Sequence, residues 1–214
     1  MAVSKEAPRQ YRSPLRQEQA QRTRGAVLDA AGRLFVAKGF GVTTMKDIAT
    51  EAGVSVESVY AQGSKSSLLL ACVDRAIVGD DAPVPLLERD DMRALLASTD
   101  MRERLAILRA VTVERLPQSA AVFEAFRGAA ATDPKLAAEW KVYEGRRYAD
   151  CVRMVEGFAG HLRPGLTVAM ATDVVWAIVS PSVMLMLTRE RGWSAEQFAD
   201  WLVDALERLI LVDG

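Results

Sequence analysis

Histidine is almost missing from this chain of 214 residues: His161 is the only one, and there are two cysteines, Cys72 and Cys151. A lone histidine in the run Gly160-His161-Leu162-Arg163-Pro164 reads as a loop residue. It supplies neither a catalytic triad nor a metal-ligand cluster, and no Cys-x-x-Cys spacing or phosphate loop accompanies it. The expectation is therefore no catalytic residue, no metal and no cofactor. The two thiols lie far apart in sequence and read as buried, reduced cysteines of a cytoplasmic protein, with a redox switch as the alternative. A secretory signal is not evident either, because the first 25 residues are polar and carry Lys5, Arg9, Arg12, Arg16, Arg22 and Arg24 without an apolar core. One apolar stretch, residues 166–187, approaches the length of about 20 residues that a membrane span needs. Asp173 charges it, and Ser180, Pro181 and Ser182 interrupt it. It reads as a helix buried on several sides of a bundle. No segment alternates with period two, so the fold class expected is all-α.

Net charge is −1, which by itself gives no hint of nucleic acid. The distribution is more informative: residues 1–66 hold 10 Lys/Arg against 6 Asp/Glu, and the remainder is acidic. A basic N-terminal part joined to an acidic remainder fits a local anion-binding face. The expected organisation is a mobile basic arm at 1–20, a small domain at 21–66 and a larger helical domain at 67–214.

Helical spacing begins at Arg22. Val27, Ala30, Ala31, Leu34 and Phe35 follow i, i+3, i+4, i+7, i+8, and Gly39 is a C-cap candidate with Phe40 folding back. Thr44-Met45-Lys46-Asp47 has capping-box form and predicts a short helix to about Ala52, with Met45, Ile48 and Ala49 inward. Gly53 ends it, and Ser55 caps a second short helix to Tyr60. Ser64 then caps a longer helix carrying Leu68, Leu69, Cys72 and Val73. Helix, glycine-containing turn and short helix make a helix-turn-helix, in which the second helix enters a major groove while the first braces it. Lys46, Ser55, Glu57 and Ser58 are left on the outside.

The segments AVLDAAGRLFVAKGF, TTMKDIATEAGVS and VESVYAQGSKSSLL, in this order within residues 24–70, resemble the N-terminal domain of the TetR family of transcriptional regulators. The resemblance covers about a fifth of the chain. One departure is visible: the family's Tyr-x-x-Phe pattern before Ser-Lys is shorter by a residue here and lacks the Phe. The resemblance implies that Thr44 and Lys46 contact phosphate from the bracing helix. It also implies that Ser55, Val56, Glu57 and Ser58 form the base-reading face, that Tyr60 gives its hydroxyl to a phosphate, and that Lys65 holds the backbone at a helix start. Glu57 can accept from cytosine N4 or pair with Lys46. Arg9, Arg12 and Arg16 in the arm either reach an adjacent groove or stay solvated.

Beyond a breaker-rich linker at 79–85, helices are expected at about 86–97, 101–115, 118–131, 134–159, 167–189 and 195–212. Pro117 and Pro134 are read as first-turn prolines, and Pro181 as a kink or break. The last two helices are the dimer candidates, through Trp176, Met184, Phe198, Trp201, Leu202, Ala205, Leu206 and Leu209; the alternative is that they bury each other inside one subunit. Two-fold symmetry, also the usual arrangement in the family resembled, implies a palindromic operator. Phe123, Phe126, Trp140, Tyr143, Arg147, Met154 and Trp176 are the candidate walls of a small-ligand cavity, although aromatics at this spacing equally make plain core. Trp140, Tyr143 and Arg147 share one helix face.

The function expected is that of a DNA-binding transcriptional regulator, a homodimeric repressor released from a palindromic operator by a small organic ligand. The alternatives are a regulator without a small-molecule effector, such as an activator or architectural factor, and an all-α enzyme or carrier.

Overall fold

A computed structural model describes residues 14–78 and 86–212. The linker at 79–85 and most of the basic arm, including Arg9 and Arg12, lie outside the described residues. Within them the chain forms α1 (Pro14–Lys38), α2 (Met45–Ala52), α3 (Val56–Tyr60), α4 (Lys65–Val78), α5 (Asp90–Ala97), α6 (Met101–Ala130), α7 (Pro134–Gly157), α8 (Val168–Ile178), α9 (Pro181–Leu185) and α10 (Ala195–Leu209). The only pairing of extended backbone among these residues is a single bridge between Leu162 and Leu211. The fold is all-α.

Local chemistry sets most boundaries. Thr44 and Asp47 form a reciprocal capping box at the start of α2, and Ser194 with Gln197 does the same for α10. Gly53 ends α2 with φ 66 and ψ 32, a left-handed turn that a side chain would resist. Ser55 caps α3 through the Ser58 amide, and Ser64 caps α4 through the Ser67 amide. Asp133 caps α7 with Pro134 just inside, as the sequence suggests.

Three boundaries differ from expectation. α1 starts at Pro14, so residues 14–20, read as arm, continue the helix. Pro117 does not start a helix: α6 runs for 30 residues straight through it. Proline has no N–H to give the Val113 carbonyl, but packing of the long helix against α4, α7, α9 and α10 outweighs that local loss. The apolar stretch 168–190 is long and apolar enough to cross a membrane by composition, yet it divides at Ser180 and Pro181 and ends in a π-helical turn at Met186–Glu190. Only a third of it is buried, less than a helix enclosed on several sides.

Two apolar clusters organise the chain. One fills the C-terminal part between α5, α6, α7, α8 and α10, around Leu95, Phe158, Phe198, Leu202 and Leu206. The other holds α1 to α4 together through Val27, Phe35, Ile48, Val59, Leu68 and Leu69. This second cluster also includes Phe126 and Ala129 of α6 and Leu136 of α7. The small N-terminal unit is thus packed into the larger one rather than tethered to it. Each fully buried side chain of this size contributes about 1.5–3 kcal/mol.

Candidate functional site

The helix-turn-helix presents its reading side to solvent. Val59 of α3 and Ile48 of α2 are fully buried, which turns Ser55, Glu57 and Tyr60 outward. Tyr60 is 62% exposed, and its hydroxyl makes no hydrogen bond among the described residues. Lys46 is exposed, and among the described residues its ammonium has no ion-pair partner, Glu57 included. Val56 and Ser58 are half-buried. Glu57 is held below the usual carboxylate range, first by its own backbone N–H and then by the Ser55 hydroxyl. The Ser55 and Ser58 hydroxyls lie 3.0 Å apart.

Two residues expected to touch phosphate are already engaged. The Thr44 hydroxyl donates to Asp47 Oδ2 at 2.8 Å, and the Thr44 N–H donates to the same oxygen at 2.9 Å. Thr44 is an exposed cap whose two donors are both held by Asp47. Lys65 Nζ donates to the carbonyls of Phe40 at 2.9 Å and Thr43 at 3.0 Å, and lies 4.3 Å from the centre of the Phe40 ring. Its charge serves the loop between α1 and α2 instead of reaching outward. Phe40 also packs against Phe35, with ring centres 5.6 Å apart. Gly63, at φ 131, makes the tight turn from α3 into α4 where the chain is one residue short.

The candidate ligand residues separate into two groups. Phe123, Phe126, Trp140 and Tyr143 pack on one another, with ring centres 4.7 Å apart for Phe123 and Trp140 and 5.2 Å for Phe126 and Trp140. They form one packed cluster, none of them lines the pocket between α4, α6 and α7, and burial pushes the Tyr143 phenol well above its ordinary range. Trp176 is covered by the Arg147 guanidinium, 4.6 Å from its ring centre, while Arg147 Nη1 donates to the Trp176 carbonyl. Trp176 does not line the pocket, whereas Arg147 and Met154 do.

That pocket measures about 160 Å³ and lies between α4, the segment entering α5, α6 and α7. Ile77 of α4 forms part of its wall, with Leu108, Thr112, Arg115 and Ser119 on α6 and Cys151 on α7. The sequence reading missed the α6 contribution. Residues 108, 112, 115 and 119 follow i, i+4, i+7, i+11, a single helix face. Placing a boundary at Pro117 hid that register.

The dimer candidates also change. Phe198, Leu202 and Leu206 are fully buried, and Met184 and Ala205 nearly so, inside one subunit. They hold α10 to α6 and α8 and are unavailable to a partner. Trp176 and Trp201 are half-buried, and Leu209 is 50% exposed. Met170, Met186 and Val212 add further exposed apolar surface.

Residues 27–72 match the family described as bacterial regulatory proteins, tetR family. Over nearly its whole length the chain is similar in fold to a transcriptional regulator from Saccharomonospora viridis solved with choline. The TM-score is 0.67 at 22% identity, covering 89% of this chain and 98% of that one. It is also similar to SmeT of Stenotrophomonas maltophilia in complex with triclosan, with TM-score 0.69, 21% identity and coverage of 91% and 94%. NalD, the secondary repressor of the MexAB-OprM multidrug efflux pump in Pseudomonas aeruginosa, gives 0.66 at 19% identity, covering 92% and 100%. At such identities these likenesses concern the fold alone. No curated protein sequence matches the chain.

Proposed function

We propose that the chain, whose residues 27–72 match the tetR family of bacterial regulatory proteins, is a DNA-binding transcriptional regulator that acts as a homodimeric repressor released from a palindromic operator by a small organic ligand. One observation carries this reading: α4 has one end in each site. Lys65, its first residue, grips the loop that leads into the helix-turn-helix, and Ile77, near its last, lines the pocket. A helix of 14 residues spans about 20 Å and moves as a unit. A ligand that displaces Ile77 therefore tilts α4 and resets the separation of the two reading heads. It shifts the equilibrium only by its difference in affinity for the two states. Relatives of the same fold solved with choline and triclosan support an effector of this kind.

In this reading residues 21–66 read DNA and residues 67–214 bind the ligand and the second subunit. Lys46 and Tyr60 contact phosphate, while Ser55, Val56, Glu57 and Ser58 face the bases. Thr44 and Lys65 position the reading unit without touching DNA. The partner subunit is received on the apolar surface of α8 to α10 that one subunit leaves open, around Trp176, Trp201, Leu209 and Met170.

The test is binding to the DNA upstream of the chain's own gene, at two salt concentrations and against random competitor. Tight binding that survives competitor, weakens with salt and is reversed by a small molecule supports the proposal. Specific binding that no small molecule reverses supports a regulator without an effector. Binding no stronger than to competitor on that and all candidate operators would sink the repressor reading.

A further inference from the structure

The pocket between α4, α6 and α7 is walled mainly by apolar side chains, among them Leu87, Met92, Leu108, Val111 and Met154. The polar groups in that wall decide what else a ligand must carry, and most of them are engaged. Arg115 is paired with Asp91, and its one unpartnered nitrogen, Nη1, is sealed from any space a ligand could fill. Arg147 is paired with Glu144 at 3.2 Å, donates to the Trp176 carbonyl and lies against the Trp176 ring. The Ser119 hydroxyl donates to the Leu116 carbonyl. Both guanidinium charges are therefore already compensated, and an added anion would meet Asp91 and Glu144 instead of a free cation.

Two polar groups of the wall remain free. Among the described residues the Thr112 hydroxyl and the Asp150 carboxyl make no side-chain hydrogen bond, and Asp150 makes no ion pair. Thr112 is only 6% exposed, yet its hydroxyl is not one of the polar atoms sealed without a partner, so its oxygen borders open space, and the space this residue lines is the pocket. Asp150 shares one face of α7 with Arg147, Cys151 and Met154, at i, i+3, i+4 and i+7 spacing, and all four line the pocket. Cys151 and Met154 are buried and Asp150 is half-buried, which sets Asp150 at the rim. Burial raises its pKa, and the charge of the exposed Arg153, too far off for an ion pair, offsets this only in part. A carboxylate that loses water and gains no partner is costly. Both free groups accept hydrogen bonds, and the charged one accepts only. The partner they lack is a donor, and at Asp150 a positive one. The volume, about 160 Å³, is near that of the roughly 150 Å³ apolar cavity that holds a benzene ring.

Resting on the effector reading above, we infer that the pocket takes a small apolar amine of roughly six to eight non-hydrogen atoms, whose hydrocarbon part fills the space between α6 and α7 and whose ammonium pairs with Asp150 at the rim. Benzylamine has this chemistry and this size.

The experiment measures calorimetric binding of three water-soluble probes of similar size to the full-length protein at neutral pH: benzylamine, benzyl alcohol and benzoate. Benzylamine is expected to bind about tenfold or more tighter than benzyl alcohol, the worth of a hydrogen bond between charged groups. Benzoate is expected to bind weakest. In Asp150→Asn, which keeps the size of the side chain and removes its charge, the preference for the amine disappears while benzyl alcohol still binds. The wild-type ranking needs no variant, so a poorly folding Asp150→Asn does not rescue the idea. No binding of benzylamine, equal binding of amine and alcohol, or tightest binding of benzoate overturns it. So does a retained amine preference in Asp150→Asn. If benzylamine binds through Asp150 without changing DNA affinity, the ligand class stands and the effector reading falls. If another compound releases DNA equally well from wild type and Asp150→Asn, and benzylamine does not bind, the effector reading stands and this inference falls.

Discussion

Replacing Phe126 by alanine tests the claim that the DNA-reading unit and the larger domain share one core. Phe126 is fully buried on α6, against Trp140 and Tyr143, in the same cluster as Val27 of α1 and Leu68 and Leu69 of α4. Removing a ring from such a site leaves a cavity that the neighbours fill only in part, at a cost of about 3–5 kcal/mol. A protein of this size loses about 2–4 °C of Tm per kcal/mol, so the melting point should fall by about 6–20 °C. Urea unfolding would be followed both by far-ultraviolet circular dichroism and by tryptophan fluorescence, at one fixed protein concentration because association in the proposed dimer would feed into stability. Trp140 reports directly on the cluster. With a shared core the two probes change together in wild type, and the midpoint drops in the variant with little change of slope. A loss below about 1 kcal/mol, or two separated transitions in wild type, refutes the shared core.

Other predictions follow from the site. Lys46→Ala should flatten the dependence of log K for DNA on log salt by about one contact's worth per subunit, a slope change of about 1.8 for the proposed dimer on its operator. Lys65→Ala should leave that slope unchanged but destabilise the fold by about 1.5–3 kcal/mol, through the loss of charge-assisted bonds to two carbonyls; a reduced slope for Lys65→Ala would return it to the phosphate contacts. The Asp47 carboxyl is lowered by the Thr44 backbone and hydroxyl, so its capping contribution is present above its unfolded value near pH 4 and is lost as pH falls through the lower folded value. Asp47→Asn should therefore differ from wild type at neutral pH and converge with it in acid; a difference that persists in strong acid refutes the cap as its source. Met170→Glu with Leu209→Glu should turn a dimer into a monomer in sedimentation at micromolar concentration, and an unchanged dimer would move the interface elsewhere.

The N-terminal unit was legible in the sequence because its signals are local. Capping residues sit within three positions of the amides they serve, and Val27, Ala30, Ala31, Leu34 and Phe35 all proved buried as their spacing suggests. The partners that Lys65 has within the chain, Phe40 and Thr43, were not legible because they are more than 20 residues away and are met only after the chain turns back. The aromatic residues of α6 and α7 looked alike in sequence as core or pocket wall. Which they are depends on whether neighbouring helices leave a gap, and here Phe123 and Phe126 close on Trp140 and Tyr143. The α10 stripe likewise shows that a face is apolar but not which surface covers it. Leu202 and Leu206 are covered from within.

The size of the pocket limits how the switch can work. Even the best small ligands gain no more than about 1.5 kcal/mol per non-hydrogen atom, so a molecule of six to eight atoms has a ceiling near 10 kcal/mol and falls well below it in practice. Moving a population from 1:99 to 99:1 takes a difference of about 5.5 kcal/mol between the two states. So small a ligand drives release most readily where the two positions of α4 are already closely balanced and, in the proposed dimer, two equivalent sites act together. Under that condition, filling the pocket covalently should do what the ligand does. Val111 lines it on α6, and Val111→Phe would place a ring in empty volume without the roughly 1–3 kcal/mol that overpacking a full core costs. The variant should retain wild-type thermal stability, lose binding of a benzene-sized apolar probe and hold the operator weakly whether or not ligand is added. If the ring occupies the pocket, as loss of probe binding would report, and operator affinity is unchanged, then Ile77 and α4 do not carry the signal, and the coupling must run through α6 and the shared cluster around Phe126.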